Sequence, residues 1–284
     1  MNYGGIEASY TAYEQAKFVV VPVPYDLTST YQSGSRRGPG AILEASANME
    51  LYDEELGQET YQAGIHTLPL LDADARGPVE MVNTVRRTVG GIVADGKIPV
   101  MLGGEHSISF GAVQALREVF PKLGVLQLDA HADLRDTYQG TPLSHAAVAR
   151  RISGICPLVQ AGIRSMSAEE AEFLKTGPVK SHSADFILEN RSWCEMICSD
   201  LEGDLYLTVD LDVLDPAVMP ATGTPEPGGI AWRDLIQLIR AVSNRCRIRG
   251  FDVVELAPIP GMIAPDFLAS KLVYRIMGYL KNGR

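Results

Sequence analysis

Short apolar runs alternate with helix-like stretches along almost the whole chain, and this alternation limits the possible folds more than any other feature. Runs at 17–23, 62–67, 97–102, 123–128, 157–161, 179–182, 205–209 and 247–254 read as strands. Between and after them, 39–45, 78–94, 108–120, 144–151, 168–175, 193–198, 231–244 and 266–280 read as helices. In 78–94, for example, Met81, Val82, Val85, Val89 and Ile92 form one apolar stripe, stopped by Asp95-Gly96. Pro39 suits a first helical turn, and Ser144 an N-cap. Strand–helix alternation predicts a parallel sheet with helices over both faces. An open sheet and a closed (β/α)₈ barrel both satisfy it. The first sixteen residues read as an irregular arm and 50–59 as a solvated acidic stretch. With no repeat, linker or low-complexity tract, one domain over 1–284 is expected.

Three of the strands end in potential metal ligands. The run 97–102 leads into Gly103-Gly104-Glu105-His106-Ser107, and 123–128 into Asp129-Ala130-His131-Ala132-Asp133. The run 205–209 leads into Asp210-Leu211-Asp212-Val213-Leu214-Asp215-Pro216. In an extended chain alternate residues share a face, which aligns Asp129, His131 and Asp133, and likewise Asp210 with Asp212. One such motif alone fits a solvated strand end. Three of them are hard to explain as surface decoration, because open α/β sheets bind ligands beyond the carboxyl ends of their strands. Asp215, next to a proline, reads as orienting a turn.

Four aspartates and two histidines without a thiolate suit Mn²⁺ better than Zn²⁺, and are too rich in histidine for Mg²⁺ or Ca²⁺. Six side chains exceed what one catalytic ion with an open position needs. Two ions about 3.5 Å apart, sharing carboxylates, fit the count, and such a pair supplies hydroxide near neutral pH. The expected reaction class is metal-assisted hydrolysis.

Composition removes other classes. A net charge of −10 gives no basic footprint for nucleic acid or an anionic membrane. The four cysteines form no CxxC pair and are too sparse for a disulfide scaffold. Residues 34–40 lack the phosphate-loop patterns. No signal peptide or spanning run is evident, so a cytoplasmic protein is expected.

The three motifs, in this order, resemble the metal motifs of the ureohydrolase family (arginase, agmatinase and relatives). Residues 223–229 and 34–39 are similar to two further loops of that family, and matches run from 22 to 258. The resemblance implies an open, three-layer α/β/α sandwich around an eight-stranded parallel sheet. It implies a pair of Mn²⁺ ions hydrolysing a small guanidino substrate to urea and an amine. It places His106, Asp129, Asp133 and Asp210 on the more exposed ion, and His131, Asp129, Asp210 and Asp212 on the other. Asp129 and Asp210 would then bridge. Asp133 counts with Glu255 and His145 among the implied catalytic groups. Glu255 would bind the guanidinium by paired hydrogen bonds, and His145 would pass a proton to the leaving amine. The chain departs from many relatives at Ala146, where they carry glycine. The family commonly forms trimers or hexamers, so a homo-oligomer is implied.

The substrate turns on 134–139. Arg135 stands where an arginase would have asparagine, and the stretch resembles the shorter agmatinase loop. Asp136 would favour a substrate with a free amine or none over one with a carboxylate. Agmatine, giving putrescine and urea, is the reading. Arg135 pairing with a substrate carboxylate would instead favour guanidinobutyrate or guanidinopropionate, and arginine is a further alternative. A non-catalytic homologue should lack a ligand or Glu255, and none is missing. A deacetylase-like hydrolase is disfavoured, since its site holds one zinc with fewer carboxylates.

Overall fold

The computed structural model describes residues 1–281. Its strands are β1 (Phe18–Val23), β2 (Ile65–Thr67), β3 (Ile98–Gly103), β4 (Gly124–Leu128), β5 (Leu158–Ile163), β6 (Lys180–Ser183), β7 (Asp204–Asp210) and β8 (Arg247–Val254). They form one sheet in the order β2-β1-β3-β8-β7-β4-β5-β6, with every neighbouring pair parallel. The ends, β2 and β6, do not pair with each other, so the sheet is open and the barrel is excluded. Edge strand β6 is Lys-Ser-His-Ser, polar enough to discourage pairing with another chain.

Helices cover both faces: α1 (Gly38–Ser46), α2 (Pro78–Ala94), α3 (Ser109–Val119), α4 (Val148–Ser153), α5 (Ala168–Thr176), α6 (Ala184–Glu189), α7 (Trp193–Ser199), α8 (Trp232–Arg245) and α9 (Ala264–Lys281). Successive β1 side chains go to opposite cores, as a pleated strand requires. Phe18 and Val20 join the core under α1, α7, α8 and α9, whereas Val19, Val21 and Val23 join that under α2, α3 and α4. Three layers result, as expected.

Several local expectations change. The N-terminal arm contains two 3₁₀ turns, and fully buried Tyr3 donates its hydroxyl to the Ser270 carbonyl at 2.6 Å. The 50–59 stretch is not merely solvated: Tyr52–Asp53 pairs with Gln58–Glu59, and Asp53, Glu54 and Glu55 surround Arg275 at 2.6, 2.7 and 2.5 Å. Their counter-ion sits on α9, some 220 residues away, where no local pattern reveals it. Ser144 does not cap, because a 3₁₀ turn (His145–Ala147) precedes α4 and its hydroxyl lies beside the His145 ring instead. Helix α6, capped by Ser183, was not expected. The four cysteines are buried and free. No helix among the described residues is long and apolar enough to cross a membrane.

Candidate metal centre

Strands β3, β8, β7 and β4 are consecutive neighbours in the middle of the sheet. Their registers pair Leu102 with Val253, Val254 with Asp210 and Val209 with Leu128, so their carboxyl ends are level. All the ligand motifs leave from that edge. After β3 the chain passes Gly104, whose N–H donates to the Val23 carbonyl and where a Cβ would lie 1.8 Å from the Tyr25 carbonyl oxygen. Only glycine fits there, and the tight path delivers His106 into the interior.

The His106 ring is fixed from behind. Its Nε2 is 2.8 Å from Thr208 Oγ1, whose hydroxyl donates to Asp252 Oδ1 at 2.6 Å, while Tyr206 donates to Asp252 Oδ2 at 2.6 Å. Thr208 has one proton and gives it to Asp252, so it accepts from Nε2–H. Nδ1 is buried without a hydrogen-bond partner, and with Nε2 carrying the ring proton it could offer a lone pair to a cation. Asp129 Oδ2 lies 3.0 Å from it, and the Oδ2 atoms of Asp133 and Asp210 each 3.4 Å. An orphaned imidazole nitrogen ringed by three carboxylates is a place for a cation. Thr208, Tyr206 and Asp252 were missed in the sequence, although a polar residue inside an apolar strand run is the signal they leave.

The second ligand group gathers around Asp129. Gln127 donates to Asp129 Oδ2 at 2.7 Å, and Gln160 to Gln127 Oε1 at 2.9 Å, so an amide chain holds the carboxylate. His131 Nδ1 is 2.9 Å from Asp212 Oδ2 and 3.7 Å from Asp129 Oδ1. Ligand atoms of His106, Asp129 and Asp210, and of Asp129, His131 and Asp212, lie within 4.8 Å of one another in each group. Five of the six expected ligands fall in these groups, with Asp129 common to both. Asp133 joins them through its 3.4 Å approach to His106 Nδ1, and Asp210, expected to bridge, stands in the first group alone. The geometry responsible differs from period-two alternation. Strand β4 stops at Leu128, Asp133 has φ 51°, and Asp212 sits in a 3₁₀ turn (Leu211–Val213) with its N–H donated to Asp210 Oδ1 at 2.9 Å. Turns rather than an extended chain converge the side chains. Asp215 orients the loop, accepting from the N–H groups of Ala217, Gly228 and Gly229.

The electrostatics match a cation site. Burial, with Asp129 beside it, pushes Asp133 up to about 7, and burial with Asp212 and Asp129 raises Asp210. Burial opposes the charge of Asp129, but His106 and His131 outweigh it and hold that carboxyl low. Burial likewise opposes protonation of His131, yet Asp212 and Asp129 push it up to about 12. Crowded buried carboxylates demand positive charge, and two divalent ions would supply it.

The cluster floors a cleft of about 230 Å³ that is also lined by Glu255, His145, Arg135, Tyr138 and Glu170. Glu255 follows β8 with φ 65°, an uncommon conformation that costs free energy and aims its carboxylate into the cleft. Its Oε1 accepts the His106 N–H at 2.6 Å, and burial together with Glu105 pushes the group up to about 8. Burial lowers His145 to about 4. Arg135 stands over the Tyr138 ring at 4.9 Å, its Nε 3.9 Å from Glu170. Asp136 does not reach the cleft: it pairs with Arg151 at 2.5 Å on the surface, and Glu170, held by the N–H groups of Leu134 and Ser167, is the acid beside Arg135 in the cleft. Arg164, also missed, reaches from the end of β5 to the carbonyls of Asp212 at 2.7 Å and Glu226 at 2.8 Å.

An open parallel sheet with such a cluster at its carboxyl edge defines a metal-dependent α/β/α hydrolase. The chain belongs to the arginase family, whose model matches residues 16–278. Among similar proteins, N(1)-aminopropylagmatine ureohydrolase of Synechocystis sp. is 38% identical over 95% of this chain and 90% of its own. Agmatinase of Bacillus anthracis is 36% identical over 88% and 87%. The solved agmatine ureohydrolase of Thermoplasma volcanium superposes with a TM-score of 0.89 at 34% identity, covering 99% of this chain and 94% of that one. These relatives are ureohydrolases and agmatinases.

Proposed function

We propose that this protein is a ureohydrolase that uses two Mn²⁺ ions and acts on a linear guanidino amine, agmatine in the first place, releasing urea and putrescine. The observation that carries the reading is the charge balance of the cleft. Two divalent ions would offset Asp129, Asp133, Asp210 and Asp212, and Arg135 offsets Glu170 beside it. Glu255 remains in the cleft without a counter-charge, which leaves burial and Glu105 to push it up to about 8. A cationic group beside it would restore the carboxylate, whereas a second carboxylate would be disfavoured there. A guanidino acid would need Arg135 free, and its guanidinium already faces Glu170 and Tyr138. N(1)-aminopropylagmatine is a second reading, favoured by the similarity to the Synechocystis enzyme of that name.

His106, Asp129, Asp133 and Asp210 would hold one ion, and His131, Asp129, Asp210 and Asp212 the other. When bound, such a pair supplies activated water near neutral pH. Glu255 accepts the guanidinium N–H groups and fixes the carbon over the cluster. His145, neutral and on the cleft wall, would take up on its cleft-facing nitrogen the proton released by the attacking water and pass it to the departing amine.

Urea release after Mn²⁺ loading, compared for agmatine, N(1)-aminopropylagmatine, guanidinobutyrate, guanidinopropionate and arginine, tests this. Preference for a guanidino amine by about ten-fold, or about 1.4 kcal/mol in the transition state, is expected. Preference for a guanidino acid refutes the charge argument.

A further inference from the structure

Glu105 is a fully buried carboxylate that belongs to neither ligand group and does not line the cleft. Three donors converge on it: the Thr28 N–H on Oε2 at 2.6 Å, the Thr28 hydroxyl on Oε1 at 2.6 Å, and the Ser107 hydroxyl. Thr28 in turn touches His145. It accepts the His145 backbone N–H at 3.1 Å, and its Oγ1 lies 3.3 Å from the ring nitrogen Nδ1. Thr30 Oγ1 lies 3.4 Å from the other nitrogen, Nε2, and both Thr30 and His145 line the cleft.

A hydroxyl carries one proton. Thr28 spends its proton on Glu105, so toward His145 it can only accept. The ring nitrogen it faces must then be the protonated one, and Nε2 keeps the lone pair. Ser144 Oγ, 3.3 Å from Nδ1, can also accept from it and does not oppose this arrangement.

We propose that Glu105, acting through Thr28, is a positioning residue that fixes the tautomer and orientation of His145 and presents Nε2 to the cleft. The consequence for turnover rests on the reading of His145 as the proton carrier; the tautomer itself does not. Glu105→Gln probes the polarity directly. The Thr28 N–H cannot reverse, so it keeps the amide oxygen and leaves the NH₂ facing the two hydroxyls. Thr28 must then accept from that NH₂ and turn its own proton to His145 Nδ1.

The test has two arms. Histidine labelled with ¹⁵N, in protein loaded with diamagnetic Zn²⁺, reports the tautomer of His145, assigned by its loss in His145→Gln. Nδ1–H is expected in the unaltered protein and in Thr28→Ser. Nε2–H or a mixture is expected in Glu105→Gln and Thr28→Val. In urea release after Mn²⁺ loading, Glu105→Gln and Thr28→Val should lower kcat by at least about ten-fold, with KM and bound metal per chain unchanged and Thr28→Ser restoring the rate. The same tautomer in all four proteins, Nε2–H in the unaltered one, or loss of rate only in step with loss of metal overturns the proposal. If no guanidino compound is turned over at all, the substrate reading fails while the spectrum still decides the tautomer.

Discussion

Arg164 should be worth more to this protein than its half-buried position suggests. It leaves the end of β5, and its guanidinium reaches two loops at once. Nη2 donates to the carbonyls of Asp212 at 2.7 Å and Glu226 at 2.8 Å, Nη1 to Gly162 at 3.1 Å, and Nε to Pro227 at 3.1 Å. Hydrogen bonds to a charged group contribute about 1.5–3 kcal/mol each when dry. Access of water to the exposed half of the guanidinium lowers the sum to roughly 3 kcal/mol for Arg164→Met. At about 2 °C per kcal/mol for a chain of this size, Tm should fall by about 6 °C. Asp212 is both a held carbonyl and an expected metal ligand, so affinity for one ion should drop by about 10–100-fold as well. Arg164→Lys should recover only a minor part, because one ammonium cannot span carbonyls in two loops. Thermal unfolding with and without Mn²⁺, together with metal counted per chain, measures both effects. A Met variant with Tm within about 1 °C of the parent and both ions retained would refute the account.

Asp129→Asn should abolish metal retention and activity together, because Asp129 is common to both ligand groups; metal analysis and urea release check this, and near-normal turnover counts against a shared ligand. Glu255→Gln should lose most of kcat/KM while keeping both ions, since its side chain meets the His106 backbone rather than the cluster; unchanged kinetics would remove it from the guanidinium site. Arg275→Met should cost about 3–5 kcal/mol in denaturant unfolding, because fully buried Asp53 loses its cation. His145 has a folded value of about 4 against about 6.5 unfolded. Between those values the unfolded chain binds a proton on this group that the fold does not, so its share of stability is lost as pH falls from about 6.5 toward 4, while Asp133 and Glu255, raised to about 7 and about 8, act in the opposite sense. His145→Gln should remove that share from the pH dependence of metal-free stability, and an unchanged pH dependence would refute it.

The candidate ligands were legible because they are clustered locally: each motif sits within a few residues of an apolar run, and residue chemistry singles out His106, Asp129, His131, Asp133, Asp210 and Asp212. The layers were legible for the same local reason, since strand–helix alternation is a property of neighbouring segments. What escaped depends on partners far along the chain. Asp53, Glu54 and Glu55 read as solvated charge because Arg275 lies on the last helix. Asp136 read as a pocket acid, yet Arg151 claims it. Thr208 and Asp252 look like blemishes in apolar strands until strand pairing sets them beside His106. Period-two alternation singled out side chains that do converge, but through another geometry, because a 3₁₀ turn and a left-handed residue also bring alternate side chains together.

The order of the strands explains why the site lies at the centre. Strand β3 is followed in sequence by β4, but β8 and β7 lie between them in the sheet. Connections diverge at that break, and a crevice opens above the carboxyl ends where the order reverses. The four strands around it carry His106, Glu255, Asp210 with Asp212, and Asp129 with His131 and Asp133. Residues as much as 149 positions apart, such as His106 and Glu255, thus meet through a single 2.6 Å hydrogen bond. Desolvation there raises Glu255 and Asp133, so the same burial that builds the core makes the carboxylates demand cations. A cluster of this charge would be unfavourable at any sheet edge unless ions or a cationic substrate occupied it. The topology that concentrates the acids therefore also dictates what must bind them.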